Sequence, residues 1–167
     1  RMKRTAYLVC TARGGIIDDL ILYRRGDDTY LVICNAGNAA IIGDALAAAF
    51  EGKQSTLTSL SDSTVLLAVQ GPKAVDIIAS ILGDDVHSIE RRHAGDAALD
   101  GRSFFLARTG YTGEDGFEVM TSPEDGGWLL DQLIEAGVTP AGLAARDTLR
   151  LEAALALHGH EIDETTN

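Results

Sequence analysis

The chain has 167 residues, 46% of them hydrophobic and only 5% aromatic, and carries a formal net charge of −11. That length supports one domain or two small, closely packed ones, with a core made mostly of Ala, Leu, Ile and Val. The acidic balance excludes a general nucleic-acid binder, which needs a basic face to meet phosphate, and no apolar run approaches the ~20 residues of a membrane span.

Residues 6–12, 19–24 and 29–35 read as strands, with Arg13-Gly14-Gly15 between the first two and Arg25-Gly26-Asp27-Asp28 as a hairpin turn before the third. From Asn38 to Phe50 the apolar residues Ile41, Ile42, Ala45, Leu46, Ala49 and Phe50 follow helical spacing, closed by Gly52. Thr64 to Val69 is a strand. Gln70-Gly71-Pro72 opens a second helix whose apolar face is Val75, Ile78, Ile81 and Leu82, ended by Gly83. Residues 84–101 are charged and carry no clear period.

Residues 103–108 and 117–121 read as strands around a glycine-rich segment. Ser122-Pro123-Glu124-Asp125 is a helix start, with a capping hydroxyl, proline in the first turn and acids at the positive end of the helix dipole. That helix is expected to stop at Gly137, and a last one to span roughly 141–157 after Thr139-Pro140. Strands in hairpins rather than in regular strand–helix alternation point to an α+β fold, with antiparallel-rich sheets and flanking helices. Two packed subdomains, roughly 1–60 and 61–167, are one way to divide it.

Cys10 and Cys34 lie in apolar strand-like runs and are expected to be buried thiols rather than a disulfide. Neither end shows a partner: residues 1–4 enter a strand directly and 161–167 are polar. Both are expected to be poorly ordered, in a chain that reads as a piece of something longer.

Three constellations can carry chemistry. In Arg-Thr-Gly-Tyr-Thr-Gly-Glu-Asp-Gly-Phe-Glu, residues 108–118, Gly110, Gly113 and Gly116 recur every three residues. Such spacing lets backbone approach a neighbour closely, although a plain glycine-rich hairpin loop would use it too. In GGIIDDL, residues 14–20, the adjacent Asp18 and Asp19 point to opposite faces of a strand. An inward carboxylate is a candidate acid–base or cation-stabilising group; the plainer alternative is a strand edge.

In GLAARDTLRLEA, residues 142–153, Arg146 and Arg150 share a helix face and Asp147 can pair with Arg150. An anionic ligand or a surface lattice of ion pairs would each answer those charges. His158 and His160 flank Gly159, but without a regular third ligand they fit a solvated helix end better than zinc, and no metal site is expected.

GGIIDDLILY (14–23), LVICNAGN (31–38), VQGP (69–72), RTGYTGEDGFE (108–118) and GLAARDTLRLEAALALHGHEID (142–163) together resemble the T-protein, the aminomethyltransferase of the glycine cleavage system. The resemblance covers nearly the whole chain. It implies the middle of the family's folate-binding region, without the N-terminal segment and C-terminal β-barrel of longer members. It further implies a transferase that passes a methylene group from an aminomethyl-lipoyl carrier protein to tetrahydrofolate and releases ammonia, in the cytoplasm or the mitochondrial matrix.

On the matching positions the resemblance assigns Asp18 as the catalytic acid, Asn35 to the pterin pocket, Tyr111 to the folate channel, Glu118 to the pterin's N–H donors and Arg146 to the length of the folate. Ala6 stands where the family has a tyrosine, with Tyr7 one place on. Alternatives are a tetrahydrofolate-dependent demethylase of the same superfamily and a non-catalytic folate-binding protein. Retention of both GGIIDD and GYTGEDGFE favours the aminomethyltransferase.

Overall fold

Alternation and turn chemistry shape the first part of the chain. β1 (Met2–Cys10), β2 (Ile16–Arg24) and β3 (Tyr30–Ile33) form an antiparallel meander with β2 in the middle. The computed structural model describes residues 2–11 and 13–166, and for 2–8 the backbone alone; the side chain of Tyr7 lies outside that description. Thr11 closes the first turn, where its Oγ1 accepts from the Gly15 N–H and its carbonyl from Gly14. Along β2, Ile16, Asp18 and Leu20 are buried while Ile17 and Asp19 are half-exposed, the period-2 pattern of a strand with one inward face.

After β3 a single 3-10 turn, Ala36–Asn38, leads into α1 (Ala39–Phe50). The helix forms as its spacing predicts, but among its residues only Ile42 is buried, and Ile41 is 52% exposed. This unit, built on residues 4–60, is completed by residues 156–166 rather than by sequence neighbours. The partnerless C-terminal end expected from its polarity is therefore corrected: Ile16 N–H donates to the Asp163 carbonyl at 3.0 Å. Asp163 in turn is wrapped by the Thr165 N–H and by the hydroxyls of Thr165 and Thr166.

Residues 61–155 form the second unit, which also takes in Met2 and Lys3, paired with Ala94 and His93. Its antiparallel strands are β4 (Val65–Gln70), β5 (His93–Leu99), β6 (Arg102–Ala107) and β7 (Gly116–Thr121), in the order β5-β6-β7-β4. β5 falls in the charged stretch where no element was legible: Gly95, Ala97 and Leu99 are half-buried, Asp96 and Ala98 are exposed, and only Ala94 of the strand is buried.

α2 (Ala74–Leu82) and α3 (Pro123–Glu135) complete its core, in which Phe104, Leu106, Phe117, Val119 and Leu129 are each at most 1% exposed. Full burial of such a side chain stabilises by about 1.5–3 kcal/mol. The α3 start is as expected: Ser122 Oγ accepts from the Asp125 N–H at 3.1 Å, with Pro123 in the first turn.

The last helix is shorter than its spacing predicts. α4 spans Leu143–Glu152, and Ala154 then adopts φ 55°. Neither glycine nor proline announces that stop. Arg150 makes it: this side chain is 1% exposed, its Nε donates to Asp147 Oδ1 at 2.7 Å, and its Nη1 donates to the Leu155 carbonyl at 3.2 Å. The Asp147–Arg150 pair is thus an anchor with a buried arginine, not part of a surface lattice.

Candidate functional site

The first constellation lies in the β1–β3 unit around Asp18, which is 0% exposed. A buried carboxylate needs donors to replace its water, and the chain after β3 brings them. Continued past Ile33, the β2–β3 register would set Asn35 opposite Asp19. The Asp18 side chain takes over from the ladder there. Its Oδ2 accepts from the Asn35 backbone N–H at 3.0 Å, and its Oδ1 accepts from Asn35 Nδ2 at 2.6 Å and from Asn38 Nδ2 at 3.0 Å. Hydrogen bonds to a charged acceptor are the strong kind.

Asn35 also reaches Asp19, with Nδ2 to Oδ1 at 3.0 Å. Asp19 is half-exposed while Asp18 is buried, so the two neighbours differ as strand alternation predicts.

Asn38 comes into reach through the 3-10 turn, in which its N–H donates to the Asn35 carbonyl. It occupies the N-cap of α1, yet its side chain makes no capping bond. Nδ2 instead meets the Ile17 carbonyl at 3.1 Å, Asp18 Oδ1, and His158 Nδ1 at 3.1 Å. The other ring nitrogen of His158 lies 3.2 Å from the Ile16 carbonyl.

The start of β2 is therefore gripped by the closing segment at both polar groups of Ile16. Gly15 makes this approach possible, since a Cβ there would run into the Glu164 backbone carbonyl. Beside the carboxylate, Cys34 has its thiol pushed up, first by burial and then by the charge of Asp18. Cys34 is half-buried, whereas Cys10 is exposed, which corrects the expectation of two buried thiols; both are free.

The second constellation lies in the β4–β7 unit, on the loop between β6 and β7. The loop is locked at its base. Gln70 Nε2 donates to the Thr109 and Phe117 carbonyls, both at 3.0 Å, so one amide ties the two sides together. Gly110 lies against that amide, where a Cβ would collide with it.

Arg108 and Asp115 close the loop a second time, as a fork at 3.1 and 2.7 Å, while Arg108 Nη1 donates to the Ile89 carbonyl. The Arg108 guanidinium holds the Asp115 carboxyl below its ordinary range.

Above this base Tyr111 is half-buried, with the Arg146 guanidinium of α4 stacked 4.8 Å from its ring centroid. Glu118 sits on the half-buried face of β7, opposite Ala68 and Ala107, and alternates with the buried Phe117 and Val119.

Of the five residues singled out from the sequence, the structure joins Asp18 to Asn35 and Tyr111 to Arg146, and sets Glu118 on the strand that leaves the Tyr111 loop. Asn38, His158 and Gln70 were missed. Asn38 carried a signal, the three-residue spacing from Asn35 that one 3-10 turn makes adjacent. His158 is half-buried and hydrogen-bonded rather than a solvated helix end, and among the described residues no metal-binding cluster of His, Cys, Asp or Glu exists.

Residues 3–167 match the GCVT N-terminal domain model. An aminomethyltransferase from Saccharopolyspora erythraea is 46% identical over 93% of this chain and 43% of its own length. One from Thermus thermophilus is 46% identical over 93% of this chain and 44% of its own. The crystal structure of glycine cleavage system aminomethyltransferase T from Bartonella henselae aligns with a TM-score of 0.87 at 35% identity, over 96% of this chain and 43% of that one. The chain thus belongs to the GCVT N-terminal domain family, and it spans less than half the length of these relatives.

Proposed function

We propose that the polypeptide carrying this chain is a tetrahydrofolate-dependent aminomethyltransferase of glycine cleavage. Its donor would be an aminomethyl-lipoyl carrier protein, and its products 5,10-methylenetetrahydrofolate, ammonia and the dihydrolipoyl arm. The observation that carries the reading is Asp18: a carboxylate with no exposure, oriented by the two asparagines of the NAGN segment. A charge kept this dry and this firmly aimed is suited to stabilising positive charge or accepting a proton.

The donor and acceptor chemistry fits the folate. A pterin edge offers paired N–H donors, which a carboxylate such as Glu118 accepts two at a time. Tyr111, held flat by Arg146, offers an aromatic face. Tetrahydrofolate, when bound, supplies the nitrogens that take up the one-carbon unit. In this reading Asp18 acts beside those nitrogens, Asn35 fixes Asp18, and Tyr111, Glu118 and Arg146 bind the folate. The bacterial relatives favour a cytoplasmic setting.

The test is turnover of the intact polypeptide with aminomethylated carrier and tetrahydrofolate, read as ammonia released. Asp18→Asn should lower it by at least ~10²-fold, the scale of one acid–base group, with tetrahydrofolate still bound in a calorimetric titration. Near-normal turnover in that variant would remove Asp18 from the chemistry. Absence of ammonia with the unaltered protein would remove the aminomethyltransferase reading in favour of another folate-dependent reaction.

A further inference from the structure

Asn38 has one amide with two hydrogens, and Nδ2 faces three acceptors: the Ile17 carbonyl, Asp18 Oδ1 and His158 Nδ1. That surroundings assigns the nitrogen, since an amide oxygen there would face oxygen acceptors. With Nδ2 donating, His158 Nδ1 must accept. The other ring nitrogen lies 3.2 Å from the Ile16 carbonyl, which can only accept, so Nε2 carries the hydrogen. The ring is thus a neutral imidazole in one defined tautomer, set between the backbone of β2 and the amide that holds Asp18.

From this geometry we infer that His158 is a positioning residue for Asp18. As the neutral Nε2–H tautomer, it fixes the Asn38 amide and through it the direction of the carboxylate. The inference rests on the catalytic reading of Asp18. Without the acceptor at Nδ1, the two Asn38 hydrogens are left with the Ile17 carbonyl and Asp18 Oδ1 alone, and the amide loses the third contact that fixes its direction against Asp18. That loss matters because reacting groups tolerate little misplacement. Neither a metal-ligand role nor an exposed helix end accounts for a ring with both nitrogens used and both partners at the start of β2 or in the turn that feeds the site.

Two substitutions divide the ring's two bonds. An asparagine amide oxygen falls near the Nδ1 position, so His158→Asn keeps the acceptor toward Asn38 and gives up the Ile16 bond. A glutamine amide nitrogen falls near Nε2, so His158→Gln keeps the donor to Ile16 and gives up the acceptor. In the intact polypeptide His158→Gln should lower kcat about tenfold with the KM for tetrahydrofolate unchanged. His158→Asn should recover most of that loss, although it is the variant that loses the bond to the backbone.

Nitrogen-15 NMR of the ring in the unaltered protein supplies a readout independent of turnover and of how either variant folds: a bare Nδ1 and a protonated Nε2 are expected at neutral pH. Equal kcat in the two variants, or a ring protonated at Nδ1, would overturn the inference. Full turnover in Asp18→Asn would instead sink the catalytic reading of Asp18, with the tautomer then deciding the hydrogen-bond chain by itself.

Discussion

The Arg146 guanidinium lies 4.8 Å from the centroid of the Tyr111 ring, joining α4 to the loop between β6 and β7. A planar cation stacked on an aromatic face contributes about 0.5–1 kcal/mol when partly exposed, and a lysine cannot reproduce the flat contact. Arg146→Lys should therefore lower stability by about that amount in urea titrations and weaken tetrahydrofolate binding in calorimetry, despite its unchanged charge. A lysine variant identical to the unaltered protein in both measurements would show that charge, not stacking, is what matters at this position.

Asn38→Asp separates capping from site-building. Aspartate caps helices about as well as asparagine, and α1 gets no side-chain cap from Asn38 in any case. On capping grounds the change should be neutral or favourable. On the geometry here it removes a donor from Asp18 and sets a second carboxylate against it, so a loss of at least ~1–3 kcal/mol is expected. Thermal melts of the two proteins at neutral pH decide between these signs.

How far the sequence alone reached depended on whether a feature was local. Turn glycines, the Ser122 cap and the alternation of Asp18 and Asp19 are written in neighbouring residues, and the structure follows them. β5 was invisible because a strand of half-buried and exposed residues has no apolar run to announce it. The end of α4 was invisible because it is imposed by a grip from Arg150 on Leu155, not by a breaker. The environment of Asp18 was half visible: Asn35 and Asn38 lie in one motif, but His158 reaches Asn38 from 120 positions away, and no spacing rule spans that distance.

Acid should loosen the loop between β6 and β7. The Arg108 hydrogen bonds depress the Asp115 carboxyl below its ordinary 3.8. A group whose pKa is lower in the folded state stabilises above the unfolded value and loses that contribution as pH falls through the folded one. Asp115→Asn should thus be less stable than the unaltered protein at neutral pH, and the gap should close only below about pH 4. Urea titrations of both proteins across that range test the sign. A gap that stays constant into strong acid would mean the pair adds nothing through charge.

The two thiols should differ in reactivity. Cys10 is exposed, whereas Cys34 is half-buried with its thiol held in the protonated direction by burial and then by Asp18. Thiolate is the reactive form, so iodoacetamide at mildly alkaline pH should label Cys10 first, as read by peptide mass spectrometry. In Asp18→Asn the lag of Cys34 should shorten but not vanish, because the larger cause is burial. Equal rates in the unaltered protein would contradict the environment described for Cys34.

The β1–β3 unit is discontinuous along the chain: it needs Ala156 onward to finish what residues 4–60 begin, with Ser61–Leu155 inserted between. During synthesis its strands therefore leave the ribosome well before Asp163 exists to take the Ile16 N–H. At ~5–20 residues per second that wait lasts on the order of 5–20 s. Through it the β4–β7 unit, contiguous apart from Met2 and Lys3, can fold to completion. The buried acid is then enclosed after the β4–β7 core, so a nascent polypeptide has that core before it has a finished carboxylate site.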